Sequence, residues 1–240
     1  MLWIFTTVIA AAVQTGRNAM QSNLTAALGT LGATQVRFIY GWPFAVLFLA
    51  AAALATGAAI PTPTPRFLAF TTGGAVAQIA GTALLLAAMH ARSFAVATVL
   101  SKTEAVQVAL FGIVILGEHL TVASGVACAI ATAGVVLAAV GRGAKWDAAS
   151  IKPALFGIAS GGFFALASIG FRGGIVALGD GAYYLRAATT LTWALSLQTL
   201  LLGAWLAAFA RPALVGSFKL WRQSLLAGLL GASASQLWFL

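Results

Sequence analysis

Long apolar runs separated by short polar gaps are the feature that most constrains the fold of this chain. Eight such runs occupy residues 2–21, 35–54, 67–89, 93–116, 121–140, 153–171, 182–208 and 225–240. A helix needs roughly 20 residues to cross the hydrocarbon core of a bilayer, and a helix also bonds its own backbone polar groups there. The pattern therefore predicts an all-α membrane protein with eight transmembrane helices.

The composition agrees with a chain whose main partner is the lipid bilayer. Hydrophobic residues make up 61% of the 240 residues and charged residues 7%, whereas a soluble domain carries about 25% charged residues. The net charge of +9 is scattered rather than clustered, which favours basic residues at lipid headgroups over a nucleic-acid surface. The single cysteine, Cys128, excludes an internal disulfide. We find no nucleotide motif and no metal-ligand spacing, so we expect no cofactor.

Similar short segments recur in the same order along the chain. Residues 32–37 read GATQVR and open the second helix, while residues 181–186 read GAYYLR and open the seventh. A glycine lies five positions before Gln78 in the third helix and five before Gln236 in the eighth. Because five helices is an odd number, a second copy would enter the membrane in the opposite direction.

This order predicts two inverted five-helix repeats. The first covers residues 1–140, a polar linker covers 141–152, and the second covers 153–240 with three of its five helices. We therefore expect ten helices in all and interpret the sequence as a fragment that lacks the last two. Basic residues follow the odd-numbered helices at nine positions and the even-numbered ones at three, leaving Lys102 aside. The positive-inside rule then places the N-terminus outside the cell.

The fourth run contains the most polar group of side chains within an apolar stretch: Ser101, Lys102, Glu104 and Gln107. Ionisable residues at this depth are costly and usually functional. On a continuous helix Ser101, Glu104 and Gln107 share a face, and Lys102 lies about 160° from Glu104. We predict that Glu104 relays a proton or holds a cationic group, and that Lys102 attracts an anionic or zwitterionic group. The alternative is that both side chains only tie helices together.

Other polar positions give weaker signals for the same pathway. Gln78 and Gln236, the pair related by the repeat, either hydrogen-bond between helices or contact a solute. Gln14 lies beside Arg17 and Asn18 near the end of the first helix, where these residues line a cavity mouth or mark the interface. Arg37 lies near a helix end, where extension of the side chain toward the headgroups also accounts for it.

Residues 97–121 read ATVLSKTEAVQVALFGIVILGEHLT. This segment resembles the fourth helix of EamA-type members of the drug/metabolite transporter superfamily, in which a Gly-Glu pair commonly closes the helix. That pair is Gly117 and Glu118 here. The segments AVQTGRN at 12–18, ASG at 159–161 and LLGAW at 201–205 are also similar to bacterial members.

The resemblance implies a ten-helix carrier in the bacterial plasma or inner membrane, built from two inverted five-helix repeats. Such carriers move metabolites, amino acids or drug-like solutes by alternating access through a central cavity. In this sequence Glu104 matches the intramembrane polar position and Glu118 the acidic end of helix 4. The family usually has both termini in the cytoplasm, which conflicts with the orientation expected from the basic residues.

The sequence therefore favours a secondary transporter of a small-molecule solute. A membrane channel or a non-transporting membrane protein is the main alternative, and an intramembrane enzyme is a weaker one. Hydrolysis would need a nucleophile with a positioned histidine or clustered acids for a metal. The four acids and two histidines are scattered, and neither Gly-x-Ser-x-Gly nor His-Glu-x-x-His occurs. We expect the protein not to be an enzyme, and its oligomeric state stays open.

Overall fold

The computed structural model describes residues 2–91, 94–116, 121–140 and 148–239, and within these ranges every regular element is an α-helix. In chain order the helices are α1 Leu2–Thr56, α2 Pro65–Ala91, α3 Phe94–Ser101, α4 Glu104–Leu116, α5 Val122–Val140, α6 Ala148–Ala177, α7 Tyr183–Phe209, α8 Arg211–Lys219 and α9 Trp221–Phe239. The all-α fold class is thus confirmed for the described residues.

Helix α1 consists of two arms that fold back on each other at Gly29. This glycine has a φ of 68°, a left-handed conformation that glycine adopts without steric penalty. The Gln21 side chain donates a hydrogen bond to the Ala33 carbonyl at 3.2 Å, although 12 residues of straight helix would span about 18 Å. The N-terminal arm (residues 2–28) and the C-terminal arm (residues 30–56) contain the first two predicted helices.

Helix α2 begins where the sequence predicts a non-helical proline segment. Residues 57–64 are not helical, and Pro65 occupies the first helical position, where its missing N–H is not needed. The Thr64 hydroxyl accepts a hydrogen bond from the Phe67 backbone N–H at 3.1 Å, which caps the helix. Helices α2, α5 and α7 agree with the predicted bounds to within two residues.

Several predicted boundaries are wrong, including the end of α6, which lies six residues after the predicted one, and the start of α9, which lies four residues before it. The fourth apolar run is not one helix, because the chain turns at residues 102–103 between α3 and α4. The predicted gap at 22–34 is helical apart from Gly29, and α6 begins at Ala148, five residues before the predicted start. Helix α8, at 211–219, was not predicted, because it is short, carries polar residues at both ends and therefore contains no long apolar run.

The chain forms two compact units. Unit 1 contains residues 1–75 and 170–240, and unit 2 contains residues 76–169. In unit 1, α7 runs antiparallel to the C-terminal arm of α1. Three contacts define this register: Gln35 with Thr199, Trp42 with Ser196, and Ala45 with Thr192.

Helix α9 packs against both arms of α1 through two glycines. Gly228 lies directly against Tyr40, and a Cβ atom placed on Gly231 would lie 3.2 Å from the Arg17 side chain and 3.6 Å from that of Arg37. Glycine at such positions lets two helices approach closely. Unit 1 therefore has a central region in which the two arms and α9 meet.

In unit 2, helices α3, α4 and α5 are accompanied by residues 76–91 of α2 and residues 148–169 of α6. The Ser160 hydroxyl donates to the Gly81 carbonyl at 2.8 Å, which links these parts of α6 and α2. Val96, Leu100 and Ala154 form a small apolar core between α3 and α6.

Large apolar side chains lie on the outside of the helices. Leu54, Val114 and Val122 are more than 80% exposed, which a water-soluble protein would avoid on this scale. Five described helical stretches are long and apolar enough to cross a membrane, counting α1 once and Val96–Val114 as one. The protein is therefore membrane-embedded and multi-pass.

Candidate functional site

The break between α3 and α4 lies inside an apolar stretch that is long enough to span a membrane. Ser101 ends α3 and Glu104 begins α4, within the stretch Val96–Val114. The Lys102 N–H bonds to the Val99 carbonyl at 3.0 Å and the Thr103 N–H to the Leu100 carbonyl at 3.2 Å. These i to i−3 bonds are the tight 3₁₀ type, which often marks a functional discontinuity when it interrupts a helix.

Gly161 on α6 fits against the break. A Cβ atom placed on this glycine would lie 2.8 Å from the Ser101 carbonyl oxygen, 2.8 Å from the Thr103 hydroxyl and 3.0 Å from the Glu104 nitrogen. One turn earlier, a Cβ atom on Gly157 would lie 2.9 Å from the Leu100 Cβ atom. The α6 backbone can approach the broken segment this closely because both positions lack a side chain.

Side chains near the break bond to backbone carbonyl groups. The Ser101 hydroxyl donates to the Thr98 carbonyl and the Thr103 hydroxyl to the Leu100 carbonyl, each at 2.8 Å. The Gln107 amide donates to the Thr103 hydroxyl at 3.0 Å and to the Ile158 carbonyl at 3.2 Å. A helix interruption at membrane depth needs such replacement bonds, because lipid offers none.

Glu104 occupies the first position of α4, where the helix dipole favours a negative charge. Its side chain is half-buried. The Ser168 hydroxyl, exposed on α6, donates to its carboxylate at 3.4 Å. Lys102 lies in the turn itself and is exposed.

The break also alters the geometry expected for these side chains. The angle of about 160° between Lys102 and Glu104 assumed a continuous helix, and that premise is wrong because residues 102–103 form a turn. The structure nevertheless brings the backbones of Ser101 and Glu104 together at Gly161. Gln107 contacts the adjacent Gly162, on which a Cβ atom would lie 2.5 Å from the Gln107 amide oxygen.

The remaining predicted residues are divided between the two units. Gln78 is half-buried on α2 in unit 2. Gln14 and Gln236 lie in unit 1, and each has a buried amide oxygen without a hydrogen-bond partner among the described residues. Gly117 and Glu118 lie outside the described residues.

Arg37 is buried, although its position near a predicted helix end suggested a side chain that extends toward the lipid headgroups. It lies within the C-terminal arm, 4% exposed, with its guanidinium 5.7 Å from the centre of the Phe38 ring. Because the side chain is buried, extension toward lipid headgroups does not account for its position.

Several polar residues of the N-terminal arm are more deeply buried than the sequence suggested. Arg17, Asn18 and Gln21 are all buried, and the Arg17 guanidinium donates to the Asn18 side-chain oxygen at 2.6 Å. Their positions, with Gln14 three residues before Arg17 and Gln21 four after it, place them on one face of a helix. This periodicity is the sequence signal that would have identified a buried polar face.

Comparisons of the chain with protein-family models, with curated proteins and with solved structures give no match. Two features of the structure bear on function. One is the broken helix of unit 2, with a carboxylate at the start of its second half. The other is the buried polar face of unit 1.

Proposed function

We propose that the protein is a secondary transporter that moves a small-molecule solute across a membrane by alternating access. The observation that carries this proposal is the turn at residues 102–103, which interrupts an apolar stretch and is followed directly by Glu104. The proposal also includes the eight membrane crossings predicted from the sequence, the inverted repeat and the relation to EamA-type carriers that the sequence resembles.

A broken helix has a specific use in transporters. Half-helix ends leave backbone groups and dipole charge near the middle of the membrane, where they bind substrates or coupling ions. Irregular backbone at that depth is tolerated where it is buried in protein or lines a water-filled cavity. A continuous helix would be enough for a protein that only packs in the membrane, so the break favours a solute pathway.

Glu104 is suited to the coupling role within this proposal. Its carboxylate has Ser168 as a hydrogen-bond donor at 3.4 Å and lies at a helix N-terminus. It can accept a proton or bind a cationic group and release either when the neighbouring helices move. Lys102, in the adjacent turn, would attract an anionic or zwitterionic part of the solute.

The packing of the C-terminal arm of α1 against α7 supports the inverted repeat. These helices carry the segments GATQVR and GAYYLR that suggest the repeat, and they lie antiparallel. Elements related by a two-fold axis in the membrane plane run in opposite directions, so they meet in this way.

Uptake into liposomes tests the proposal. The purified chain is reconstituted, a panel of labelled amino acids, organic acids and cationic drugs is screened with and without a pH gradient, and the transported solute is used for kinetics. We expect saturable uptake that the pH gradient drives. Glu104→Gln removes the titratable group, so we expect uptake to fall by at least about tenfold and to lose its dependence on the gradient.

Asp180→Asn is the matched control, since it makes the same acid-to-amide change at an exposed turn between α6 and α7. Uptake by this variant should equal that of the unmodified protein. Flux that rises linearly with solute concentration would favour a channel. Uptake that Glu104→Gln leaves unchanged would exclude the coupling role, and no uptake of any solute would contradict transport.

A further inference from the structure

Helix α8 carries basic and apolar side chains together on its exposed face. Successive residues of a helix are about 100° apart around its axis, so residues on one face recur every three or four positions. The residues that are buried or half-buried occupy one side of α8: Ala213, Leu214, Gly216 and Ser217. The exposed residues occupy the other side, within about 120° of one another: Arg211, Pro212, Val215, Phe218 and Lys219.

The inner side of α8 packs against α1 beside the bend at Gly29. A Cβ atom placed on Gly216 would lie 2.8 Å from the Leu28 Cδ2 atom. A Cβ atom on Gly32 would lie 3.4 Å from the Ala213 Cβ atom. Because these contacts fix one side of α8, its exposed side points away from the rest of unit 1.

We infer that the exposed face of α8, together with the start of α9, binds the headgroups of anionic phospholipids at the surface of the membrane. We call this face the α8 surface, and it consists of Arg211, Val215, Phe218, Lys219, Trp221 and Arg222. The inference goes beyond the proposed transport and does not depend on it, since it concerns unit 1 alone and uses no residue of the helix break.

The charge of the α8 surface is the first argument. Residues 205–222 contain three basic residues and no acidic residue, and all three basic side chains are exposed. The Arg211 Nε donates to the Ala207 carbonyl at 2.9 Å, which holds this guanidinium at the end of α7. Guanidinium and ammonium groups both donate to phosphate oxygens. The segment is therefore complementary in charge to an anionic headgroup, and it contains no carboxylate that would repel one.

The apolar part of the surface is the second argument. Val215, Phe218 and Trp221 are each more than half exposed, and the Arg222 guanidinium lies 5.4 Å from the centre of the Trp221 ring. Large apolar side chains are unfavourable in water, and basic ones are unfavourable in the hydrocarbon core. Both kinds are accommodated at the depth of the headgroups. The mixed face therefore favours that layer over bulk water and over the bilayer centre.

The end of α7 carries further exposed aromatic side chains next to α8. The ring centres of Trp205 and Phe209 lie 5.4 Å apart, and both residues are exposed. Aromatic residues are enriched at the interface between membrane and water. The orientation expected from the basic residues puts this end in the cytoplasm, where anionic lipids give the leaflet its negative surface. An acidic protein segment would match the charge as well, but the exposed aromatic rings favour a lipid, whose acyl chains they can contact.

Quenching by brominated lipids tests this inference. In the Cys128→Ser background, Val215→Cys is labelled with bimane, and the full chain is placed in phosphatidylcholine nanodiscs. These contain either brominated phosphatidylglycerol or brominated phosphatidylcholine at equal mole fraction. Both quenchers carry bromine at the same acyl positions, so the depth of the probe affects them equally. The measured quantity is the ratio of their association constants at the probe.

We expect this ratio to favour phosphatidylglycerol by at least about fivefold, the preference that a single basic residue near the surface provides. The ratio should fall in about 1 M NaCl, because salt screens the charges. Leu54→Cys is the control position for the probe. Leu54 is exposed on unit 1, and residues 38–65 contain no charged residue, so the ratio there should be close to one.

Charge-neutral variants test the basic residues directly. Arg211→Gln, Lys219→Gln and Arg222→Gln together should lower the ratio at the Val215→Cys probe to about one. Lys219→Arg keeps the charge and should leave the ratio unchanged. Lys219→Gln alone should lower it, and Arg66→Gln is the matched control for that variant, since it removes one exposed charge elsewhere in unit 1 and should have no effect.

Size-exclusion chromatography identifies any variant that does not fold. If the triple variant fails in this way, the comparison of Lys219→Gln with Arg66→Gln decides the question. A ratio near one without the charge substitutions would overturn the inference, as would a ratio that the glutamine variants leave unchanged. A ratio near one with saturable binding of polyglutamate to the nanodiscs would assign the surface to an acidic protein segment instead. The expected ratio in a protein that takes up no solute would contradict the proposed transport and support this inference.

Discussion

Two threonines close together in sequence show how differently one side-chain type can act in this protein. The Thr103 hydroxyl donates to the Leu100 carbonyl and accepts from Gln107. The Thr98 hydroxyl is buried and has no hydrogen-bond partner among the described residues. An unsatisfied buried hydroxyl destabilises the folded state, whereas a satisfied one contributes about 1 kcal/mol for each bond.

Replacing each threonine with valine tests this contrast. Thr103→Val should lower the free energy of unfolding by about 1–2 kcal/mol, because two hydrogen bonds are lost. Thr98→Val should leave it unchanged or raise it slightly. Unfolding in mixed detergent micelles with increasing SDS measures both variants. Equal losses in the two would contradict the hydrogen-bond arrangement at the break.

At the scale of elements, the apolar runs predict where helices are but not where they stop or break. The prediction for α7 is correct to within one residue, because hydropathy and the turn at 178–182 both mark its start. The break at residues 102–103 could not be predicted, since it depends on the close approach of the α6 backbone at Gly161. A sequence pattern within one helix carries no information about such a contact.

Gly161 is therefore expected to be intolerant of any side chain. Gly161→Ala places a methyl group 2.8 Å from the Ser101 carbonyl oxygen and the Thr103 hydroxyl, so we expect it to lower the unfolding free energy by about 1–3 kcal/mol. Gly73→Ala is the matched control on α2, where nothing lies within 4 Å of the added atom. It should be neutral or slightly stabilising. Unfolding in mixed micelles with increasing SDS measures both variants. If Gly161→Ala is as stable as the unmodified protein, the contact with α6 does not maintain the break between α3 and α4.

At the scale of the whole molecule, the sequence predicts a membrane protein from its composition, and the apolar exterior confirms it. The candidate site is predicted in part, since Glu104 stands out as an acid in an apolar run. Thr103 and Ser168, the other polar side chains of the site, do not stand out in the sequence, because Thr103 bonds to Leu100 and Ser168 to Glu104 only in the folded chain. The proximity of Arg17 and Arg37 could not be predicted either, because they are 20 positions apart in the sequence and both side chains pack against Gly231 of α9 only in the folded chain.

The predicted topology has one consequence that can be checked chemically. The Thr64 hydroxyl donates to the Ala177 carbonyl at 3.4 Å, which places the start of α2 beside the end of α6. In a background with Cys128→Ser, Pro63→Cys and Asp180→Cys should both be labelled from outside the cell, while Ala27→Cys should be labelled from the cytoplasm. Labelling of the first two from opposite sides would contradict the structure. Labelling of Pro63→Cys and Asp180→Cys from the cytoplasm and of Ala27→Cys from outside would contradict the orientation inferred from the basic residues.

Water access at the helix break is the most direct test of the central claim, since a solute pathway must be wet where it meets Glu104. Thr103→Cys, in the Cys128→Ser background, is treated with a membrane-impermeant methanethiosulfonate reagent, and Val114→Cys is the control because Val114 is 81% exposed on the apolar exterior. Thiols react as thiolates, which form in water and not in lipid. We predict that Thr103→Cys reacts at least about tenfold faster than Val114→Cys. Equally slow reaction at both positions would contradict a watery pathway at the break.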